Sequence, residues 1–427
     1  MTETETMKGK ILKIGMMAMA VALVLCSCSK KKKSSFDPAK VGFEVSYSQE
    51  LDNTLYPSFI LGLANYNGKQ NSEMFRYAVT NPKRNSVLRI VMDSSQLNYT
   101  TIFQETMAEN GVRYTFEPLV KWKYGNLAHV RQSGMVDLTF TCYINDEEVD
   151  VKNLRLNYRP VNECLLGVYD TCNHYVDHRW MFAAFVNEEH PFLDLMLNEI
   201  LEQGIVSRFT GYQLGEKQVD EQVFAIWYYV QTRGIHYSSI SSTSRASKRA
   251  NTQNIRFLDE VYRNKQANCI DACAFMASIL KKIGIKPVIF LEPSHAYLGY
   301  YKDKNKKKLA LLETTLAGNI DFTGIDAAYD SVTVVQEMMK YSKYMVKNEI
   351  YKYQNKIWTR TDVKKSISRE SFRQATNKNI ERYNKNKKNF KDASQELYSI
   401  LDISELREMV QPINRDEDIP FVQDQTE

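Results

Sequence analysis

Several residue types are scarce in this chain, and each shortage narrows the class of protein. Cysteine occurs 7 times, histidine 6 times and tryptophan 4 times among 427 residues. So few cysteines in a chain of this length exclude a disulfide-built scaffold. Apart from one N-terminal run, no apolar stretch approaches the roughly 18 residues of a membrane-spanning helix, which excludes a polytopic membrane protein. The net charge is only +5, which does not indicate a nucleic-acid-binding protein.

The overall composition is that of a globular protein. Hydrophobic residues make up 43% of the chain and charged residues 25%, which excludes wholesale disorder. The length allows two or three domains.

The one apolar run lies at the N-terminus and is typical of a secretory signal. Lys8, Lys10 and Lys13 form a basic region before the apolar segment Ile14–Leu25. The sequence Leu-Cys-Ser-Cys28 then resembles the lipobox of bacterial lipoproteins. The resemblance implies that residues 1–27 are a signal peptide and that Cys28 is lipidated. A single membrane-anchoring helix is the alternative, but the run is short for one.

A lipid on Cys28 would attach the chain to a membrane in the bacterial cell envelope, on the periplasmic or the surface face. Residues 28–40 are then a lipidated linker. Lys30–Lys33 would lie beside the acyl chains and could add about 1 kcal/mol per charge on an anionic leaflet. The same lysines could equally serve as a solvated tether.

Residues 41–160 show the alternation of β-strands. The segments Val41–Tyr47, Val87–Met92 and Val136–Ile144 alternate at period two, and Asn145-Asp146 follows the last as a turn. Short strands separated by turns predict an antiparallel β-sandwich. No catalytic cluster is present, so this part is interpreted as a binding or spacer module.

Beyond residue 160 the apolar spacing becomes helical. Phe192–Gln203 and Val219–Val230 have helical periodicity, and Ser238–Thr252 is typical of an exposed loop. Residues 331–427 are expected to be a helical C-terminal region, with helices over Ser331–Tyr351 and Ser371–Ile403. Their lysine-rich faces are either solvated or a surface for a polyanion or a partner protein.

The segment with the clearest chemistry begins at Asn268. Residues 268–284 predict a helix that starts at Cys269 and stops at Gly284. The free N–H groups and the dipole at a helix N-terminus favour a thiolate on Cys269. Asp271 lies in the favourable first turn, whereas Cys273, one turn further in, is expected to pack in the core.

Three strands are predicted after this helix, over residues 285–291, 295–301 and 309–315. A hairpin centred on Lys304 would place His295 directly opposite Glu313. The carboxylate could then orient the imidazole through one ring nitrogen and leave the other for Cys269. This order of thiol, base and acid is the arrangement of an activated nucleophile.

These residues together resemble the transglutaminase-like branch of the papain-like thiol superfamily. The similarity is strong over about residues 180–320 and extends to an uncharacterised bacterial subgroup. It rests on Asn268-Cys-Ile-Asp, Gly284-Ile-Lys-Pro-Val, Ser294-His-Ala-Tyr and Leu312-Glu-Thr-Thr, and upstream on Thr252-Gln-Asn-Ile-Arg-Phe, Met181–Pro191 and Gly211-Tyr-Gln.

The resemblance implies a fold and a set of site residues. The fold class is α+β: an N-terminal antiparallel β-sandwich, then a transglutaminase-like cysteine-protease fold over residues 161–330, in which a helix packs on an antiparallel sheet, and C-terminal helices. The implied catalytic triad is Cys269, His295 and Glu313, the last where most relatives have Asp. Gln253 or the backbone N–H of Cys269 would stabilise the oxyanion.

The expected function is that of an envelope-anchored thiol enzyme acting on a peptide or amide bond of an envelope substrate, with no metal and no organic cofactor. The alternative is a non-catalytic binding or scaffold lipoprotein with the same fold, since fold does not fix function. His174 and His178 would have metal-ligand spacing on a helix, but no cysteine or carboxylate pattern completes a site. At most one disulfide is expected among Cys142, Cys164 and Cys172.

Overall fold

A computed structural model of the protein describes residues 42–64, 74–80, 84–109, 111–239, 249–346, 348–392 and 394–415. The expected signal peptide, the expected lipidation site Cys28 and the expected linker lie outside the described residues. Within them, no helix combines the length and the apolar character that crossing a membrane requires.

The architecture is mixed α and β, and the chain divides into two compact units. Among the described residues, the first unit holds 42–184, 249–254 and 408–415, and the second holds 185–239 and 255–407. The boundary therefore falls at residue 184 rather than at the expected 160.

The first unit contains three sheets. Its strands are β1 Gly42–Tyr47, β2 Thr54–Leu55, β3 Phe75–Thr80, β4 Ser86–Met92, β5 Thr101–Met107, β6 Arg113–Phe116, β7 Gly134–Ile144, β8 Glu147–Tyr158, β9 Glu163–Tyr169, β10 Tyr175–Asp177 and β12 Ala250–Asn254. The sheet orders are β1-β3-β6, β2-β8-β7-β4-β5 and β10-β9-β12. Its helices are α1 Pro57–Gly62 and α2 Tyr124–Ala128, and Gln49–Leu51 forms a 3₁₀ turn.

Two of these sheets pack face to face through aromatic side chains. Phe75 and Tyr77 on β3 each lie 5.8 Å, between ring centroids, from Phe140 on β7. All three rings are buried, as the alternating pattern of these strands predicts. The hairpin turn after β7 also forms where it is expected, with Asn145 and Asp146 in the left-handed conformation.

The first unit departs from the expected sandwich in two ways. The strand β2 runs parallel to β8, so the five-stranded sheet is not purely antiparallel. The unit also includes residues 408–415, which are distant in sequence and form backbone hydrogen bonds with it. Gln411 donates to the carbonyl of Gly62 at 2.8 Å, and Ile413 donates to the carbonyl of Ala184 at 2.9 Å.

The second unit places helices against a four-stranded antiparallel sheet, in the order β16-β15-β14-β17. Its strands are β11 His236–Tyr237, β13 Gln266–Ala267, β14 Pro287–Glu292, β15 His295–Tyr301, β16 Leu309–Leu312 and β17 Ser399–Asp402. Its helices are α3 Phe192–Glu202, α4 Glu216–Thr232, α5 Leu258–Asn264, α6 Cys269–Lys282, α7 Thr323–Ala327, α8 Ser331–Met339, α9 Glu349–Gln354, α10 Arg360–Lys391 and α11 Ile403–Leu406. The segments Arg179–Phe185, Thr314–Asn319 and Ser342–Tyr344 are 3₁₀ turns.

Residues 331–407, as far as the structure describes them, belong to this second unit, whereas 408–415 belong to the first. Residues 399–402 were expected to be helical but form β17, which pairs with β14 from Leu291↔Ser399 to Val288↔Asp402. The physical reason is that Ser-Ile-Leu-Asp pairs with β14 and becomes the edge strand of the four-stranded sheet, a contact that is distant in sequence. Phe390, at the end of α10, packs in the same core as Phe290 on β14.

Candidate active site

Cys269 is the first residue of α6, and its position is fixed by the cap of that helix. The side chain of Asn268 accepts hydrogen bonds from the backbone N–H groups of Ile270 and Asp271, both at 2.9 Å. Asp271 in turn accepts from the N–H of Asn268 at 3.0 Å, which completes a capping box. The cap bonds do not use the N–H of Cys269, and this residue is partly exposed.

Asp271 is a structural residue of this site. It is fully buried and accepts from the backbone N–H of Arg256 at 2.8 Å and from its guanidinium at 2.7 Å. With the bond from Asn268, these donors occupy both carboxylate oxygens. Arg256, in the upstream element Gln-x-Ile-Arg, therefore holds its chain segment against the N-terminus of the helix that carries Cys269.

His295 begins β15, directly after a two-residue turn. Pro293 and Ser294 make that turn, and Ser294 takes the left-handed conformation, with φ of 62°. The turn pairs Glu292 with His295 at the end of the β14–β15 ladder. The strand β15 packs against α6, which brings the imidazole to the N-terminal end of that helix.

The imidazole lies between a thiol and a carboxylate. Its Nε2 is 3.0 Å from Oε2 of Glu313, and the side chain of Cys269 lies close enough to raise the pKa of the ring. Because Nε2 is engaged by the acid, Nδ1 is the ring nitrogen left for the thiol. The structure thus brings together the three side chains that the sequence analysis singled out.

Glu313 reaches His295 by a different route from the one expected. The ladder pairs Leu298 with Leu312, whereas a hairpin centred on Lys304 would pair Leu298 with Ala310. The predicted register is therefore wrong by two positions, a shift that keeps each side chain on its face of the sheet. Glu313 follows the last residue of β16 and caps the 3₁₀ turn Thr314–Asn319.

The carboxylate of Glu313 is held from several sides. It is fully buried, and its Oε1 accepts a hydrogen bond from the hydroxyl of Thr315 at 2.7 Å. Burial acts to raise the pKa of Glu313, but the hydrogen bond and the charge of His295, with the bond from Thr315, outweigh it. The pKa of Glu313 is therefore lowered, and the acid is ionised.

The same contacts act on His295. Burial acts to lower the pKa of His295, yet the hydrogen bonds to Cys269 and Glu313 and the charge of Glu313 raise it to about 9. At neutral pH the imidazole is therefore a cation beside the thiol, which is the environment that favours a thiolate.

Sequence reasoning missed one charged residue of the site, Arg382 on α10. Its Nη1 lies 3.7 Å from Oε2 of Glu313 and 4.0 Å from Oε2 of Glu292. Burial and hydrogen bonds have the larger effects on the pKa values of Glu313 and His295. The positive charge of Arg382 also acts to lower both pKa values. Nothing in the local sequence of a lysine-rich helix distinguishes this arginine.

Tyr237 on β11 was also missed and lies on the open side of the site. The strand β11 pairs with β13, two residues before Cys269. Burial raises the pKa of Tyr237, and the nearby Cys269 and Glu313 raise it further. The residue is 44% exposed and lies close to Cys269. A Cβ on Gly318 would clash with the backbone N of Tyr237, which keeps this position a glycine.

Cys273 lies where the helical spacing predicts. It is fully buried, and its sulfur is 3.6 Å from the hydroxyl of Thr314. Burial raises the pKa of this thiol well above its ordinary value. Two cysteines one turn apart therefore differ sharply in environment.

Gln253 lies in the first unit, not in the unit that holds the triad. It is in β12, opposite Cys164 of β9, and its side-chain amide donates to the carbonyl of Asn254 at 2.9 Å. Its role as an oxyanion donor stays a prediction, and the N–H of Cys269 is the candidate donor within the second unit.

The other histidines and cysteines do not form the sites considered from sequence. His174 and His178 flank the strand β10, so the helical spacing required for a shared metal is not realised. Among the described residues no cluster of histidine, cysteine and carboxylate side chains could hold a metal ion. Cys142 and Cys164 are free and buried, so no disulfide joins any two of the three cysteines considered.

No protein-family model matches this chain, and no curated protein sequence is significantly similar to it. The chemistry of the site therefore has to be inferred from its geometry.

Proposed function

We propose that the protein is a transglutaminase-like thiol enzyme of the bacterial cell envelope that hydrolyses or transfers a peptide or amide acyl group. The observation that carries this proposal is the His295 ring, which lies between the thiol of Cys269 and the buried carboxylate of Glu313. A partly exposed thiol at a helix N-terminus, a base and an orienting acid are the parts that nucleophilic catalysis needs.

The proposed reaction proceeds through an acyl-enzyme. The thiolate of Cys269 attacks the amide carbonyl carbon, and the backbone N–H of Cys269 donates to the oxygen that becomes negative. The C–N bond breaks as the imidazolium of His295 gives its proton to the leaving amine. Water or a second amine then attacks the thioester carbon and loses its proton to His295, and the C–S bond breaks to release the thiolate, which regenerates the thiolate–imidazolium pair. Glu313 holds the ring throughout and stabilises its charged form.

The proposed location follows from the N-terminal sequence. A lipid on Cys28 would attach the chain to an envelope membrane, and the lysines that follow would strengthen contact with an anionic leaflet. The substrate would then be a peptide or protein that reaches that membrane surface.

The first test is the pH dependence of iodoacetamide alkylation of the full-length chain, mapped by peptide mass spectrometry. Cys269 should react well below about pH 8.5, the ordinary thiol value, and His295→Ala should abolish this reactivity. Cys273 is the internal control, because it lies in the same helix as Cys269 but is buried. Labelling of Cys269 only near the ordinary thiol value, unchanged in the variant, would contradict the proposal and favour a binding lipoprotein.

The second test is turnover. Activated esters and peptide amides should give a burst of leaving group that matches the concentration of enzyme. Cys269→Ala should remove the burst, whereas Cys273→Ala should keep it. Equal turnover by the wild-type protein and Cys269→Ala on every substrate that reacts would overturn the assignment.

A further inference from the structure

Two carboxylates, not one, lie beside His295. Glu313 contacts the ring, and Glu292 is the cross-strand partner of His295 at the end of the β14–β15 ladder. Directly opposed residues of an antiparallel pair point to the same face with Cβ atoms about 5 Å apart. Both acids are almost completely buried, with side-chain exposures of 7% for Glu292 and 0% for Glu313. Either acid could pair with the imidazolium, but only one does.

Arg382 stands between these two acids. One guanidinium nitrogen, Nη1, lies 4.0 Å from Glu292 and 3.7 Å from Glu313. The cation is near enough to each carboxylate for a strong attraction in a partly buried site. His295 and Arg382 together therefore balance two negative charges.

Further contacts hold Glu292 away from His295. Its Oε1 accepts from the amide of Asn386 at 2.9 Å and from the hydroxyl of Tyr297 at 3.4 Å, while Arg382 faces its Oε2. Asn386 lies one turn after Arg382 on α10. One face of this helix thus hydrogen-bonds Glu292 through Asn386 and brings the charge of Arg382 near both acids.

The helix that carries Arg382 is fixed against the site. The carbonyl of Ala375 accepts from the backbone N–H of Glu313 at 3.3 Å. One turn before Ala375 in the same helix, the hydroxyl of Ser371 accepts from the side chains of Trp227 and Gln231, both at 3.0 Å. These bonds determine where Arg382 projects, so its position between the acids is built into the packing of α10.

We propose that Arg382 is a positioning residue that sorts the two acids: its charge is shared by both, and together with Asn386 it compensates Glu292, so that Glu313 is the carboxylate that orients His295 toward Cys269. The effect of Arg382 on catalysis rests on the proposed thiol chemistry, whereas its effect on the orientation of His295 does not. The ionisable groups that face His295 and Glu313 in this region are Cys269 on α6, Tyr237 on β11, Glu292 on β14, Tyr297 on β15 and Arg382 on α10.

The test compares Arg382→Gln, Arg382→Lys and the double variant Arg382→Gln/Glu292→Gln in the full-length protein. Two readouts are needed. One is the titration midpoint of His295, followed by NMR of histidine-labelled protein and assigned with His295→Gln. The other is the alkylation rate of Cys269. In Arg382→Gln the charge of Glu292 is no longer compensated and should raise the titration midpoint of His295. The alkylation rate of Cys269 should fall on the order of tenfold, because both Glu292 and Glu313 can then pair with the imidazolium.

The double variant shows whether Arg382 sorts the two acids or only supports the structure. Glu292→Gln added to Arg382→Gln should restore both the midpoint and the alkylation rate, because the competing charge is gone. Arg382→Lys, which keeps the charge, should lie between the wild type and Arg382→Gln. It also serves as the test variant if Arg382→Gln does not fold.

Two results would overturn the inference. One is an unchanged midpoint and alkylation rate in folded Arg382→Gln. The other is a loss that Glu292→Gln does not rescue, which would make Arg382 a structural brace only. If turnover does not depend on Cys269 while the midpoint still shifts and is rescued, the proposed function fails but the sorting of the two acids stands.

Discussion

The hairpin of β15 and β16 has buried charge at both ends, and the two ends are built differently. At one end His295 contacts Glu313 and Cys269. At the other end Lys306 lies 2.6 Å from Asp402 and 2.6 Å from Glu405. Each end therefore pairs a cation with buried or partly buried acid, in the same hairpin.

The Lys306 end is closed on itself. Asp402 is fully buried and also accepts from the backbone N–H groups of Ser404 and Glu405. Burial acts to lower the pKa of Lys306, but its hydrogen bonds to Asp402 and Glu405 raise it above the ordinary value. The cation is therefore held by its two acids.

The His295 end is open. Its cation can lose a proton at about pH 9, Cys269 lies beside the ring, and Cys269 is partly exposed. The comparison teaches that a buried ion pair alone does not mark a reactive site. What distinguishes the reactive end is a proton that can move and a nucleophile that can receive a substrate.

The largest expected effect is on stability at the closed end. Lys306→Met leaves Asp402 buried without its cation and should lower the free energy of unfolding by about 3 kcal/mol or more. Lys308→Met is the matched control in the same turn, because Lys308 is 62% exposed and its pair with Glu216 should contribute little to stability. Urea unfolding measures both, and equal losses would break the comparison.

The next effect is on reactivity at the open end. Glu313→Gln removes the charge that holds the imidazolium and should slow alkylation of Cys269 at pH 6 by about 10- to 100-fold. Glu405→Gln removes an acid of the closed end and should leave that rate unchanged. If both variants slow alkylation alike, the closed end would also influence the thiol.

Much of this site could be predicted from local sequence. The helix 269–282 and the strands 287–292 and 295–301 agree with the predicted segments to within about two residues. Their apolar spacing, the cap residue Asn268 and Gly284 are all local signals.

The hairpin register could not be predicted because a side chain reshapes the turn. Asp303 accepts from the backbone N–H groups of Asn305, Lys307 and Lys308, and Lys306 takes the left-handed conformation. The turn therefore closes from Lys302 to Lys308, and the pairing moves by two positions. The hairpin rule assumed a symmetric turn about Lys304.

The contributions of the C-terminal segment could not be predicted because they depend on tertiary packing. The strand β17 and the residue Arg382 come from more than 80 residues beyond the turn that positions His295. Pairing of β17 with β14 and the seating of α10 near Glu313 are set by the assembled core, which no local pattern specifies.

The smallest effect, counted per pH unit, is a pH dependence of stability that the open end should produce and the closed end should not. The folded-state pKa of His295, about 9, lies above its ordinary value of 6.5, so the folded state holds this proton more tightly. Its contribution to stability is complete below about pH 6.5 and is lost as pH rises through 9. Glu313 has the opposite sign: its pKa is lowered, so its contribution is present above its ordinary value of 4.5 and is lost in acid. Lys306, whose pKa is raised from 10.5, contributes no slope between these limits.

Urea unfolding between pH 6 and 9.5 therefore separates the two ends. The wild-type free energy of unfolding should fall across this range, with a His295 slope of at most about 1.4 kcal/mol per pH unit. His295→Gln should remove that part of the slope, whereas Lys306→Met should lower the whole curve and keep its slope. A wild-type curve with the same slope as His295→Gln would mean that the imidazolium at the open end is not held by Glu313 and Cys269, and the contrast between the two ends would fail.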